Sequence, residues 1–125
     1  MLLDTAIFID YLRGHEPAAA AVVRARAESG VWMHTVVAAE LIAGARNKPE
    51  LRRVTALMSG CRLLLPDESD LRRALRLLER HALPDGLDWC DCLIAATAMR
   101  LGETVVTPNL KHFRAIRAVR AMRPY

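Results

Sequence analysis

Four polar residues stand where short apolar runs end or small-residue stretches begin: Asp4, Glu40, Asp91 and Asn109. Carboxylates drawn into one partly buried cleft repel each other and raise each other's pKa values unless a cation joins them. A ligand set made only of oxygens favours Mg²⁺, with Mn²⁺ as a substitute, over zinc or copper. A divalent ion held this way lowers the pKa of a bound water and stabilises charge on a phosphate, which suits phosphodiester hydrolysis. Asp88, three residues before Asp91, would share its helix face and is a further candidate ligand.

Residues so far apart in sequence meet only if the chain's elements bring them together. Apolar runs over residues 1–3, 31–34, 62–65 and 103–107 read as strands, with residues 116–122 as a last edge strand. Helical patterns fill the intervals, over residues 6–13, 17–28, 35–43 with Thr35 as N-cap, 49–58, a long helix from near Ser69, and 88–101. Residues 109–113 form a short turn or helix. In the long helix, Leu71, Leu75, Leu78 and Ala82 share a face expected to meet the core, while Arg72, Arg73, Arg76, Glu79 and Arg80 fill the rest as solvated surface. The segment from Asp88 to Leu101 is apolar and small nearly all round, as expected of a helix laid closely on a sheet.

Strands alternating with helices imply an α/β fold, a parallel sheet of about five strands sandwiched between helices. Strand C-termini then share one edge, and crossover helices start there. Asp4 follows the first strand and Asn109 the fourth. Glu40 and Asp91 lie in early turns of helices. All four belong to that rim.

At 125 residues the chain suits a single domain, residues 1–125, and its 53% hydrophobic content supports a core. No apolar run reaches the roughly 18 residues of a membrane span, and the N-terminus lacks a basic leader, so a cytoplasmic location with no membrane partner is expected. The odd cysteine count (Cys61, Cys90 and Cys92) fits a reducing compartment, and Cys90 and Cys92 would point to opposite sides of a helix without a second zinc-type pair. The net charge of +4, carried mostly by arginine, suits a polyanionic partner but is a mild signal.

Each residue also has a plainer role. Asp4 and Asp88 are favoured helix caps, and Asp91 is a favourable charge in a first helical turn. Glu40, with apolar neighbours Ala39, Leu41 and Ile42, is expected to enter a partly buried cleft. Thr5 and Thr107 are placed to hydrogen-bond the carboxylates, and Trp32 and Trp89 to pack. His112 reads as surface or as a neighbour of the site; His15, His34 and His81 carry no pattern.

The sequence resembles the PIN-domain ribonucleases, specifically the VapC-like toxins of bacterial toxin–antitoxin modules, over nearly its whole length. The likeness lies in Met1-Leu-Leu-Asp-Thr5, in Thr35-Val-Val-Ala-Ala-Glu40-Leu-Ile-Ala-Gly44, in Asp91-Cys-Leu-Ile-Ala-Ala-Thr-Ala98 and in Val106-Thr-Pro-Asn-Leu-Lys-His-Phe113, in the family's order and spacing. The resemblance implies a PIN-like fold, Mg²⁺ held by Asp4, Glu40 and Asp91, and an RNA substrate cut by endonucleolytic hydrolysis. It also implies a homodimer and a cognate antitoxin whose C-terminal segment lies over the active-site groove. In many relatives an Asp stands where this chain has Asn109, an Arg where it has Pro108, and another Asp where it has His112. Asn109 offers a carbonyl oxygen but no charge. Two other classes fit less of the pattern. One is a catalytically weak binding module whose acidic pocket accepts basic side chains of a partner protein. The other is a phosphatase-like or receiver-like domain, which would want an Asp-x-Asp pair at Asp4-Thr-Ala6 and a Lys after the last strand.

Overall fold

The computed structural model describes all residues from 1 to 125. Its five strands are β1 (Leu2–Leu3), β2 (Trp32–His34), β3 (Arg62–Leu64), β4 (Val105–Val106) and β5 (Ala121–Met122). Its seven helices are α1 (Thr5–Leu12), α2 (Glu16–Glu28), α3 (Thr35–Gly44), α4 (Lys48–Ser59), α5 (Glu68–Asp85), α6 (Trp89–Leu101) and α7 (Leu110–Arg114). The strands form one sheet in the order β3-β2-β1-β4-β5, and every pairing is parallel. The α/β reading and the strand count of the sequence analysis hold. The last strand is shorter than expected, because turns occupy most of residues 115–119.

From β1 the chain steps outward through β2 and β3, then returns to the other side of β1 for β4 and β5. Connections therefore diverge between β1 and β4, leaving a crevice beyond their C-terminal ends where side chains of neither crossover fill the space. Leu2, Leu3, Val105 and Val106 beneath it are fully or nearly fully buried, as strands covered on both faces must be. Val37, Leu41, Cys92, Ile94, Ala95, Ala96 and Ala98 press onto the sheet from α3 and α6. The small residues of α6 let that helix approach closely.

Two expectations about helices change. Thr35 is not the N-cap of α3. His34 is, its Nδ1 accepting a hydrogen bond from the Val36 amide at 3.0 Å. In α5 the leucine face is only partly the inward one: Leu78 packs against the core, but Leu71 and Leu75 are 40% and 59% exposed, while Asp70, Ala74 and Leu77 are buried. The helix is turned by about one residue, roughly 100°, and a buried polar network explains the turn.

In that network His34 is fully buried and burial pushes its pKa down to about 4, against a smaller opposing pull from Asp70, so it is neutral at neutral pH. With Nδ1 accepting, Nε2 carries the proton and donates to Thr97 Oγ1 at 3.0 Å. Thr97 donates onward to Asp70 Oδ2 at 3.2 Å, and Arg100 closes the chain with bonds of 2.9 Å to each Asp70 oxygen. Burial alone would raise the Asp70 pKa; the Arg100 bonds, the Asp67 amide and the Arg100 charge outweigh it and hold the carboxyl below its usual range. Leaving Asp70 on the surface to bury Leu71 would abandon all of these bonds.

Arg100→Ala should therefore cost about 2–3 kcal/mol, below the figure for a fully buried pair because the Arg100 side chain is 31% exposed. Because the folded pKa of Asp70 is depressed, its contribution is complete above the unfolded carboxyl value near 3.9 and is lost as pH falls through the folded value. Urea melts should show the full gap between wild type and variant at pH 7 and a gap closing as pH drops below about 4. A gap independent of pH would contradict this account.

Candidate active site

Asp4, Glu40, Asp88, Asp91 and Asn109 all line one cavity of about 250 Å³ at the crevice between β1 and β4. Every residue singled out at the rim is brought there. What holds each one is local. Asp4 ends β1 and caps α1, its Oδ1 accepting from the Thr5 amide at 2.8 Å. Its Oδ2 accepts from the Thr107 hydroxyl at 2.9 Å, and Thr107 Oγ1 in turn accepts from the Asn109 amide at 2.9 Å. This turn after β4 fixes Asp4 from the opposite side.

Asp88 and Asp91 form a capping box at the start of α6. Asp88 Oδ1 accepts from the Asp91 amide at 2.8 Å, and Asp91 Oδ2 accepts from the Asp88 amide at 3.3 Å. Capping is the role expected for Asp88, whose other oxygen stays uncommitted. Asp91 is the more enclosed of the two, with a side chain 13% exposed, and its Oδ2 also lies 3.3 Å from His112 Nδ1. His112 is thus a direct neighbour of the site.

Glu40 differs from expectation. It and Ala39 are exposed, as is Ile42, and only Leu41 among the neighbours is buried. The reason is the pitch of α3: Val37, Ala38 and Leu41 occupy its inner face, one step around the helix from Glu40.

The carboxylates sense one another. Burial raises the Asp4 pKa, the Thr107 hydroxyl and Thr5 amide lower it, and Glu40 and Asp88 raise it again, for a net increase. Asp91 rises to about 6, first from burial; the Asp88 amide and His112 oppose, while the Asp88 and Asp4 charges add. Cys90, also on the cavity wall, is pushed upward by burial and by Glu40, so its thiol stays protonated. Sequence reasoning overlooked Cys90 as a wall of the site and His34 as the cap of the helix bearing Glu40. No periodic signal marks either.

A hard cation fits this donor set in two respects. Asp4 and Asp91 are oxygen donors of raised proton affinity, and Thr5 Oγ1, buried on the same wall, has no hydrogen-bond partner in the protein. The carboxylates do not close on one another, and no three His, Cys, Asp or Glu side chains are gathered at ligand spacing. The arrangement is an open cup. Beside it runs a larger groove of about 590 Å³, sharing Ile9 and Glu40 with the cup and walled by Leu12, Val54, Arg13 and Arg53.

Comparison with known proteins bears on this geometry. The PIN domain family model matches residues 1–118. Ribonuclease VapC19 of Mycobacterium tuberculosis is 37% identical over 115 residues, which is 90% of this chain and 90% of that protein. Among solved structures, a toxin-antitoxin complex from Klebsiella pneumoniae superposes with a TM-score of 0.80 at 24% identity, over 99% of this chain and 97% of that one. VapBC-1 from nontypeable Haemophilus influenzae gives 0.79 at 24%, over 98% and 96%. FitAcB from Neisseria gonorrhoeae gives 0.75 at 25%, over 98% and 96%. The five-stranded parallel sheet and its helices match these folds.

Thr107→Val should destabilise the protein by about 2 kcal/mol, since it strips a buried carboxylate oxygen and the Asn109 amide of their shared partner at once. Equilibrium unfolding in urea measures this. A loss under about 0.5 kcal/mol would mean that the turn after β4 does not hold Asp4 as described.

Proposed function

The chain belongs to the PIN-domain family, and from that premise we propose that it is a Mg²⁺-dependent endoribonuclease, the toxin of a toxin–antitoxin pair acting in the cytoplasm. The observation that carries the reading is the meeting of Asp4, Glu40 and Asp91 in one cup at the switch point of the sheet. The name and 37% identity of ribonuclease VapC19 support the RNA substrate.

Asp4, Glu40 and Asp91 would hold the ion, with the second oxygen of Asp88 and the side-chain carbonyl of Asn109 as further donors. When bound, Mg²⁺ supplies a water of lowered pKa and positive charge against the scissile phosphate. The protein's own part is positional. Thr107 and the Thr5 amide fix the Asp4 carboxylate from both sides, so its direction is set before substrate arrives. The capping box does the same for Asp91, and His112 Nδ1 stands 3.3 Å from its Oδ2. Asn109 accepts or donates to a water without adding charge, and the buried Thr5 hydroxyl offers one more polar contact. In this reading, groups held this firmly would orient an attacking water toward a bound phosphodiester rather than leave it to diffuse.

Asp4→Asn and Asp91→Asn should each lower Mg²⁺-dependent RNA cleavage by at least about a hundredfold, roughly 3 kcal/mol of barrier, with circular dichroism unchanged. Chelation by EDTA should abolish cleavage, and Mn²⁺ should restore it. Full activity in Asp4→Asn would sink the proposal. No cleavage by wild type of any RNA tested, with tight binding of a basic protein partner, would favour the binding-module reading instead.

The larger groove beside the cup suits the C-terminal segment of an antitoxin, and the paired chains named in the Klebsiella and Haemophilus complexes support such a partner. A homodimer belongs to the same reading, with the exposed Leu75 (59%) and Leu83 (96%) of α5 as surface that a second copy would cover. Light scattering should give twice the 13.9 kDa chain mass, falling to the single mass in Leu75→Glu/Leu83→Glu. A wild type at the single mass across the micromolar range would remove the dimer.

A further inference from the structure

The positive charge of this protein is not spread evenly. From Thr104 to Tyr125 there are five basic residues, Lys111, Arg114, Arg117, Arg120 and Arg123, and no Asp or Glu. The remaining residues hold 13 Lys and Arg against 14 Asp and Glu, so the segment carries more than the whole net charge of +4. All five side chains are exposed, and none forms an ion pair. Of the thirteen other Lys and Arg residues, Arg46, Arg72 and Arg100 pair with carboxylates, so what sets the segment apart is its lack of any acidic residue.

The fold sorts the five further. Asn109 and His112 line the acidic cup, so Lys111 and Arg114 flank a residue of its wall. Met122 pairs with Val106, and the Thr107 amide bonds the Met122 carbonyl at 3.0 Å. Arg123 therefore leaves β5 beside Thr107, on the same rim. Arg120 lies at the opposite end of that strand, its guanidinium on the Gly102 carbonyl. Lys111, Arg114 and Arg123 are thus exposed and unpaired on elements that reach the rim of a cup lined by four carboxylates, with Lys111 and Arg114 in the last turn of α7.

We propose that Lys111, Arg114 and Arg123 form a phosphate-binding track that holds single-stranded RNA beside the acidic cup. The track rests on the nuclease reading for its substrate but binds through charge alone. An acidic pocket repels a polyanion, and adjacent fixed cations offset that repulsion where the strand must approach. With two tryptophans, two tyrosines and two phenylalanines in the whole chain, and none of the tryptophans in this segment, stacking is a minor contributor and salt dependence should be steep.

The test measures binding, not cleavage. A fluorescein-labelled random RNA of about 20 nucleotides is titrated in EDTA with Asp4→Asn protein, alone and combined with Lys111→Gln/Arg114→Gln/Arg123→Gln. A matched control carries Arg26→Gln/Arg62→Gln/Arg120→Gln. Arg62 is the first residue of β3 and Arg120 directly precedes β5, both at the N-terminal ends of the strands, and Arg26 lies against Gly60 just before β3. The rim variant should raise Kd at least about tenfold and lower the slope of log K against log salt by about two, near 0.7 per single-strand phosphate contact. The control should stay within about twofold. Equal losses in both variants would reduce the effect to net charge and overturn the track. So would an unchanged Kd in a rim variant whose circular dichroism is native, which would leave this surface to an acidic protein partner. The two proposals fail separately: RNA binding that depends on the rim without any cleavage sinks only the nuclease, and cleavage with an unchanged salt slope sinks only the track.

Discussion

Negative charge can be concentrated at this rim because helix N-termini converge on it. Asp4 caps α1, Asp88 caps α6, and Asp91 occupies the third position of the same helix with its oxygen turned back to the Asp88 amide. Each carboxylate sits where unsatisfied amides and the helix dipole favour an anion. The local stabilisation is modest per residue, on the order of 1 kcal/mol, but it applies to groups whose burial and mutual repulsion pull the other way, as the raised pKa of Asp91, about 6, records. Capping and ligation are therefore not rival roles. In Asp88 and Asp91 the cap engages one oxygen and leaves the other uncommitted, while in Asp4 the second oxygen is held by Thr107.

The same logic shows why the rim was legible in sequence. A helix-capping acid directly after an apolar run marks a strand end, and parallel topology sends strand ends to a common edge, so Asp4, Asp88, Asp91 and Asn109 could be placed without knowing any distance. Glu40 also reaches the cup as expected, but its exposure was not legible. Its helix carries apolar residues on several sides, and composition alone does not say which of them face the sheet. In the structure Leu41 does and Ile42, at 43% exposure, does not.

The illegible parts share one cause, polar groups that are buried because they satisfy each other. The leucine stripe of α5 is the strongest periodic signal in the chain, yet Asp70 displaces its Leu71 and Leu75 from the core. A carboxylate is expected at the surface unless its partners are known, and those partners, Thr97 and Arg100, lie 27 and 30 positions away. His34 is likewise ordinary in sequence. Its role depends on being a neutral imidazole that accepts from the Val36 amide and donates to Thr97, which joins the first turn of α3 to the middle of α6. The helices that bring Glu40 and Asp91 to the cup are thus tied by hydrogen bonds as well as by packing. Apolar contact alone would tolerate small sliding of one helix over the other, whereas a chain of directional bonds through buried groups does not, because breaking any link strands a polar atom away from water.

The charge pattern then follows as a division between two surfaces that must coexist. A site built of carboxylates attracts a cation and repels a phosphate strand, so an acidic cup serves a polyanionic substrate only if positive charge lies close by but outside it. Cations within the cup would pair with the carboxylates, neutralise them and compete with a metal ion. Cations placed far away would be screened, since interactions between exposed charges fade over a Debye length of about 8 Å at physiological salt. The segment from α7 to β5 carries its cations outside the cup wall, on elements that reach the same rim. His112 is the basic-type side chain that touches Asp91, while Lys111, Arg114 and Arg123 are exposed and without acidic partners.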